Sequence, residues 1–245
     1  MRIVDPPVTF GRALVVDPMP YYRLGQATAR QRQRVLDPRA VRGTLPSVGA
    51  PPVDVLLQVL FDLSGSMSSG NDAAGLRFEA TLIALEHLTA AAPRRSPRWS
   101  VQLASFDLDS AVELSPTPLT RRLLLRELCP RLLTRPDGGT STLGPSLRAA
   151  ETTANPGMRV LLVLSDFELF DPVSIFDELE ASTADLVVAL VFNSRGVPPQ
   201  LESRDLTFHH IAPADEPAIV AHYLIATAQT VTHRTTRAPQ RAFRG

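Results

Sequence analysis

Asp62, Ser64 and Ser66 set one carboxylate and two hydroxyls at alternate positions of the segment Phe61-Asp62-Leu63-Ser64-Gly65-Ser66-Met67. All three side chains are oxygen donors. Hard cations such as Mg²⁺, Mn²⁺ or Ca²⁺ take such a set, whereas Zn²⁺ ordinarily recruits His or Cys. The donors follow directly on the apolar run Val55-Leu56-Leu57-Gln58-Val59-Leu60, which reads as a buried parallel strand. They therefore emerge at a strand's carboxyl end, where open α/β sheets place their ligands.

Two later segments continue the theme. Gly138-Gly139-Thr140 opens a loop leading into the stretch from Leu143, and Val160–Ser165 is a second buried-type run, followed by Asp166. In this order and spacing the three segments resemble the metal-ion-dependent adhesion site (MIDAS) of the von Willebrand factor A family, and the resemblance covers roughly Asp54 to Gln229. It implies a doubly wound α/β fold: a mostly parallel central sheet, helices on both faces and one antiparallel edge strand. It also implies an intact MIDAS in which Asp62, Ser64, Ser66, Thr140 and Asp166 gather around a divalent cation, Mg²⁺ first, with Mn²⁺ and Ca²⁺ as alternatives. Waters fill the remaining positions until a partner protein's Asp or Glu replaces one. Thr142 is the alternative to Thr140, and Glu168 is a further acid near the site. The chain departs from the family where Phe167 follows Asp166, a place usually held by Gly. A bulky side chain adopts positive φ only at a cost. The third loop is therefore expected to run differently, with Phe167 on a contact rim.

The elements that must position these groups alternate as a doubly wound sheet requires. Strands are expected at Asp54–Phe61, Trp99–Phe106, Arg159–Ser165, Asp185–Phe192 and Leu206–Ile211, with a short antiparallel edge at Ala111–Leu114. Helices are expected at Leu76–Ala91, Leu119–Leu133, Leu143–Thr153, Val173–Ala181 and Pro213–Gln229. Residues 1–53 form a Pro- and Arg-rich extension, in which Gln26–Leu36 reads as a short helix stopped by Pro38. Residues 54–230 are the A-type domain, and 231–245 a basic, disordered tail.

Enzymatic readings fit poorly. Gly65–Gly70 has the spacing of a phosphate loop, but Asn71-Asp72 follows, and the chain contains no Lys. No Gly-x-Ser-x-Gly elbow surrounds Ser64 or Ser66. Ser64 also stands where an aspartyl phosphatase needs its second acid. His209 and His210 point to opposite faces of a strand and cannot chelate one ion together. Cys129 reads as core, and Asp107 and Asp109 as turn residues. The expectation is a protein that is not an enzyme; a metal-dependent hydrolase is disfavoured because no general base adjoins the hydroxyls.

Net charge is zero over 245 residues, but its distribution is uneven. Residues 1–53 hold 8 Arg against 3 Asp, residues 231–245 hold 4 Arg and no acid, and residues 54–230 hold 13 Arg against 22 acids. Basic arms thus flank an acidic domain. They lie back on their own domain, dock a protein, or meet nucleic acid; the last would make the chain a ribonucleoprotein-type A domain, on a weak electrostatic footprint. The use of Arg alone with 22 Pro looks like the coding bias of a GC-rich bacterium. One Cys suits a reducing compartment, no secretory h-region is visible, and no apolar run is long enough for a bilayer. A cytoplasmic adaptor with no membrane contact is therefore expected. Small intracellular members of the family work beside MoxR-type AAA+ ATPases or in multi-gene stress and conflict systems, which is the partner class that the resemblance implies.

Overall fold

The computed structural model describes residues 36, 38–51, 53–67, 73–91, 98–106, 111–120, 141–154, 157–193 and 195–236. In chain order the elements are α1 (Pro38–Thr44), β1 (Val55–Asp62), α2 (Arg77–Ala91), β2 (Trp99–Phe106), β3 (Ala111–Pro118), α3 (Gly144–Glu151), β4 (Met158–Ser165), α4 (Ile175–Glu180), β5 (Leu186–Phe192), α5 (Pro199–Glu202), β6 (Thr207–Ile211) and α6 (Ala218–Thr236).

The strands are the apolar runs of the sequence, and β1 and β5 are buried at every residue, as strands covered on both faces must be. They form one six-stranded sheet in the order β3-β2-β1-β4-β5-β6. β1 pairs in parallel with both β2 and β4, and β5 extends the parallel sheet to β6. The chain therefore moves outward from β1 on one side and returns on the other. That reversal opens a crevice between the carboxyl ends of β1 and β4. β3 pairs antiparallel with β2 as the edge strand, with register shifts, and it runs to Pro118 rather than ending at Leu114. An edge strand tolerates Pro116 and Pro118 because its outer side has no ladder to complete.

Alternate residues of each strand feed two cores. Leu57, Val59 and Phe61 join Val160, Leu162, Val188, Leu190 and residues of α1, α2 and α6. Leu60, Leu161, Val163 and Val191 join residues of α3, α4 and α5 on the other face. Each fully buried Leu, Val or Phe contributes about 1.5–3 kcal/mol. A buried polar clasp crosses the second layer: Gln58 Nε2 donates to Gln102 Oε1 at 2.7 Å and to the Ala150 carbonyl at 2.8 Å. It fixes the carboxyl end of α3 against β1 and β2.

Part of the amino-terminal extension belongs to the folded body. Pro38 opens α1, where its missing N–H costs nothing. Val41, Leu45 and Val48 are buried against α2 and α6. Arg42 pairs with Glu86, the Pro46 carbonyl lies 2.9 Å from His87 Nε2, and Gln229 Nε2 donates to the Ser47 carbonyl at 2.9 Å. At the other end, α6 continues to Thr236 with Val231 fully buried, so 231–236 is helix rather than tail. The expected helices at Gln26–Leu36 and Leu119–Leu133 fall almost wholly outside the described residues, as do most of the basic arms. Among the described residues no helix is long and apolar enough to cross a membrane.

Candidate metal centre

Asp62 ends β1 level with the end of β4, since Phe61 pairs with Leu164. Its side chain is fully buried, yet both carboxylate oxygens are held. Oδ1 accepts the Ser64 N–H at 2.8 Å. Oδ2 accepts the Ser141 hydroxyl at 2.8 Å and the Ser165 hydroxyl at 2.5 Å. Burial raises the Asp62 pKa above its ordinary value, and the hydrogen bonds from Ser165, Ser64 and Ser141 offset only part of that. A cation beside this carboxylate would favour its charged form.

The chain turns sharply after Asp62. The Leu63 N–H donates to the Phe106 carbonyl at 3.0 Å, which extends the β1–β2 ladder by one residue. A 3₁₀ turn at Gly65–Met67 follows, closed by Met67 N–H on the Ser64 carbonyl at 3.0 Å. The turn brings the Ser64 and Ser66 hydroxyls within 3.0 Å of each other. Ser64 is buried and Ser66 exposed, so the pair runs from the interior of the turn to its surface. Arg77, the first residue of α2, supports the loop from within. Nη1 donates to the Met67 and Ala74 carbonyls, both at 2.6 Å, and Nη2 to the Asp62 carbonyl at 2.8 Å. Its guanidinium carbon lies 4.3 Å from the centre of the Phe78 ring.

The third loop corrects an expectation. Phe167 does adopt positive φ, at 58°, at the position where the family usually places Gly. Its ring is not on a rim: it is 5% exposed and stacks on Phe176 with centroids 6.4 Å apart. The left-handed backbone costs about 1–2 kcal/mol, and burial of the ring exceeds that. The loop is further fixed by Phe167 N–H on Ser165 Oγ at 2.8 Å, Glu168 N–H on Asp166 Oδ1 at 3.0 Å, and Asn193 Nδ2 on the Asp166 carbonyl at 3.2 Å. The exposed apolar side chains of this loop are Phe170, at 74%, and Val173, at 62%. Asp171 accepts the Leu143 N–H at 2.6 Å and the Gly144 N–H at 3.0 Å, which ties this loop to the start of α3.

The structure thus brings Asp62, Ser64 and Ser66 together in one turn and places Asp166 and Ser66 on the walls of one cleft. Thr140 lies outside the described residues. Thr142 is half-buried, and Glu168 lies 3.9 Å from Arg195, both side chains largely exposed. Sequence reasoning missed Ser141, Ser165, Arg77 and Asp171. Ser165 carried the one visible signal, a polar residue closing an apolar strand just before an acid. His209 stacks on Tyr223 with centroids 4.1 Å apart, and burial lowers its pKa. His210 Nε2 lies 2.6 Å from the Asn193 carbonyl. Cys129, Asp107 and Asp109 lie outside the described residues.

The donor set suits a hard cation. No group of three or more His, Cys, Asp or Glu side chains converges among the described residues. A cation here would rest on two carboxylates with hydroxyls making up the protein share, an arrangement that leaves positions for water.

A solved structure of a von Willebrand factor type A protein from Catenulispora acidiphila matches 77% of this chain and 47% of its own, with a TM-score of 0.58 at 15% identity. The chain has the von Willebrand factor A fold. Other structures with this A-domain fold agree. The pilus adhesin SpaC from Lactobacillus rhamnosus GG matches 78% of this chain and 32% of its own, with a TM-score of 0.57 at 12% identity. Proximal thread matrix protein 1 from the mussel byssus, in a form with a zinc-occupied MIDAS motif, matches 76% of this chain and 49% of its own, with a TM-score of 0.53 at 14% identity. The chain spans less than half the length of each of these three proteins. At such identities the likeness is one of A-domain fold. No family model matches the sequence, and no curated protein matches it.

Proposed function

We propose that the protein is a non-enzymatic interaction module in which Asp62, Ser64, Ser66, Thr140 and Asp166 hold a divalent cation that takes an Asp or Glu of a partner protein. The observation that carries this reading is the Ser64–Ser66 hydroxyl pair, 3.0 Å apart, beside the buried Asp62 carboxylate that Ser141 and Ser165 hold. The mussel protein's zinc-occupied motif supports a divalent cation on this fold. The all-oxygen set favours Mg²⁺ over zinc, with Mn²⁺ and Ca²⁺ as alternatives. Once bound, the cation supplies positive charge and an open coordination position. The chain's own part is to hold the donors still: Arg77 fixes the first loop, Ser165 the acid, and Asp171 the join between the third loop and α3.

The resemblance in sequence supports a MoxR-type AAA+ ATPase, or another component of a multi-gene bacterial system, as the partner. A chain without Lys lacks the phosphate-loop ammonium, so any ATP hydrolysis falls to that partner. A cytoplasmic setting, which suits a chain with one Cys, belongs to the same proposal. The test is a pull-down from native lysate with tagged protein, in Mg²⁺ and in EDTA. Loss of an identified partner in EDTA, and with Ser64→Ala in Mg²⁺, supports metal-dependent recognition. Retention of every partner in both refutes it.

A further inference from the structure

Ser66 and Asp166 also line a cleft of about 240 Å³ that runs from the candidate cation site toward the carboxyl ends of β5 and β6. Ala73, Phe192, Ile211 and Pro213 supply its apolar surface, and Asp166 and Glu168 its charged surface. Among the described residues no cationic side chain lines it. Asn193, another wall, is already committed: Nδ2 donates to the Asp166 carbonyl at 3.2 Å, and Oδ1 accepts the Arg195 N–H at 2.7 Å. Glu168 is not so committed. Its ion pair with Arg195 spans 3.9 Å, with the two side chains 58% and 85% exposed, a contact that solvent screens to little energy.

We propose that this cleft takes a Lys or Arg side chain of the partner protein, a few residues from the Asp or Glu that meets the cation. The inference rests on the metal reading above and names the partner's second anchor. Two features of the cleft select a long cation. The apolar walls suit the methylene stem, while the charged head reaches water and Glu168 at the mouth. The electrostatic balance points the same way. A divalent ion set against Asp62, Asp166 and a partner carboxylate leaves one negative charge over, and Glu168, only loosely offset by Arg195, adds to it. The loaded site therefore still attracts a cation, and it repels a second acid.

The test uses short synthetic peptides with one Asp and, a few residues away, Arg, Ala or Glu. Each is titrated into isotope-labelled full-length protein in Mg²⁺ and in EDTA, with affinity and amide shifts read by NMR. The Arg peptide is expected to bind about fivefold more tightly than the Ala peptide, to bind more tightly than the Glu peptide, and to shift the amides of Asn193, Ile211 and Ala212. Glu168→Gln is expected to bring the Arg peptide down to the affinity of the Ala peptide. Equal binding of the Arg and Ala peptides, or a gain that survives Glu168→Gln, overturns the cleft assignment and leaves the metal reading standing if EDTA still abolishes binding. Binding that ignores EDTA, or no binding of any peptide in Mg²⁺, overturns the metal reading and this inference with it.

Discussion

Ser165 Oγ donates to Asp62 Oδ2 at 2.5 Å and accepts the Phe167 N–H at 2.8 Å. One hydroxyl thus joins the acid at the end of β1 to the strained turn after β4. The two loops on either side of the crevice are mechanically one unit, and the placement of Asp166 depends on an atom that also orients Asp62.

Ser165→Ala is expected to cost about 1–3 kcal/mol in urea denaturation, because it removes a donor from a buried carboxylate and an acceptor from a buried N–H. Cation affinity should fall in the same variant. Wild-type stability together with wild-type Mn²⁺ affinity would show that the coupling has no energetic weight.

Arg77→Met should be more damaging. It leaves the Asp62, Met67 and Ala74 carbonyls without the guanidinium that holds them, and about 3 kcal/mol or more is expected in chemical denaturation. Arg77→Lys keeps the charge but not the planar fork. It should fall between the two, with cation affinity following the same order.

Phe167 offers a test of strain against burial. Phe167→Ala loses the ring while keeping the unfavourable φ, so about 3–4 kcal/mol is expected. Phe167→Gly loses the same ring but relieves the backbone, and should be about 1 kcal/mol more stable than the Ala variant. Thermal melts of wild type and both variants give the order; an Ala variant more stable than the Gly variant contradicts the account.

Two buried acids contribute to the pH response in EDTA. Burial raises the pKa of Asp62 and of Glu79, and Glu79's own backbone and the Arg77 charge offset only part of the latter effect. Glu79 Oε2 is buried with no hydrogen-bond partner among the described residues. A raised acid is protonated more readily folded than unfolded. Its contribution is complete below the ordinary values of 3.8 for Asp62 and 4.5 for Glu79, and it is lost as pH rises through the raised folded values. Urea midpoints of the metal-free protein should therefore carry a component that declines as pH rises above the ordinary carboxylate values. Glu79→Gln should flatten that decline. A decline identical in wild type and Glu79→Gln would remove Glu79 from the account.

The parts legible in the sequence are those that short-range pattern decides. Trp99–Phe106 is the strand expected residue for residue, because Trp99, Val101 and Leu103 alternate with Ser100 and Gln102 at the period of a strand. Asp62, Ser64 and Ser66 are visible because a single turn holds all three. Ser141 and Ser165 act on Asp62 from 79 and 103 residues away, and nothing about an isolated Ser announces such a partner. Arg77 looks like any polar residue at a helix start. The place of Phe167 is hidden because strain at a bulky residue is decided by what buries its ring, and Phe176 is nine positions further on in a separate helix. Pro38 reads as a stop, whereas the same chemistry also starts a helix.

The most direct test of the central claim is calorimetric titration of the purified protein with Mg²⁺ and Mn²⁺, beside a Ser64→Ala, Ser66→Ala double variant checked for fold by circular dichroism. The account predicts one divalent ion per wild-type chain and a loss of about tenfold or more in affinity for an equally folded variant. No binding by wild type at millimolar cation, or equal binding by the double variant, would contradict it.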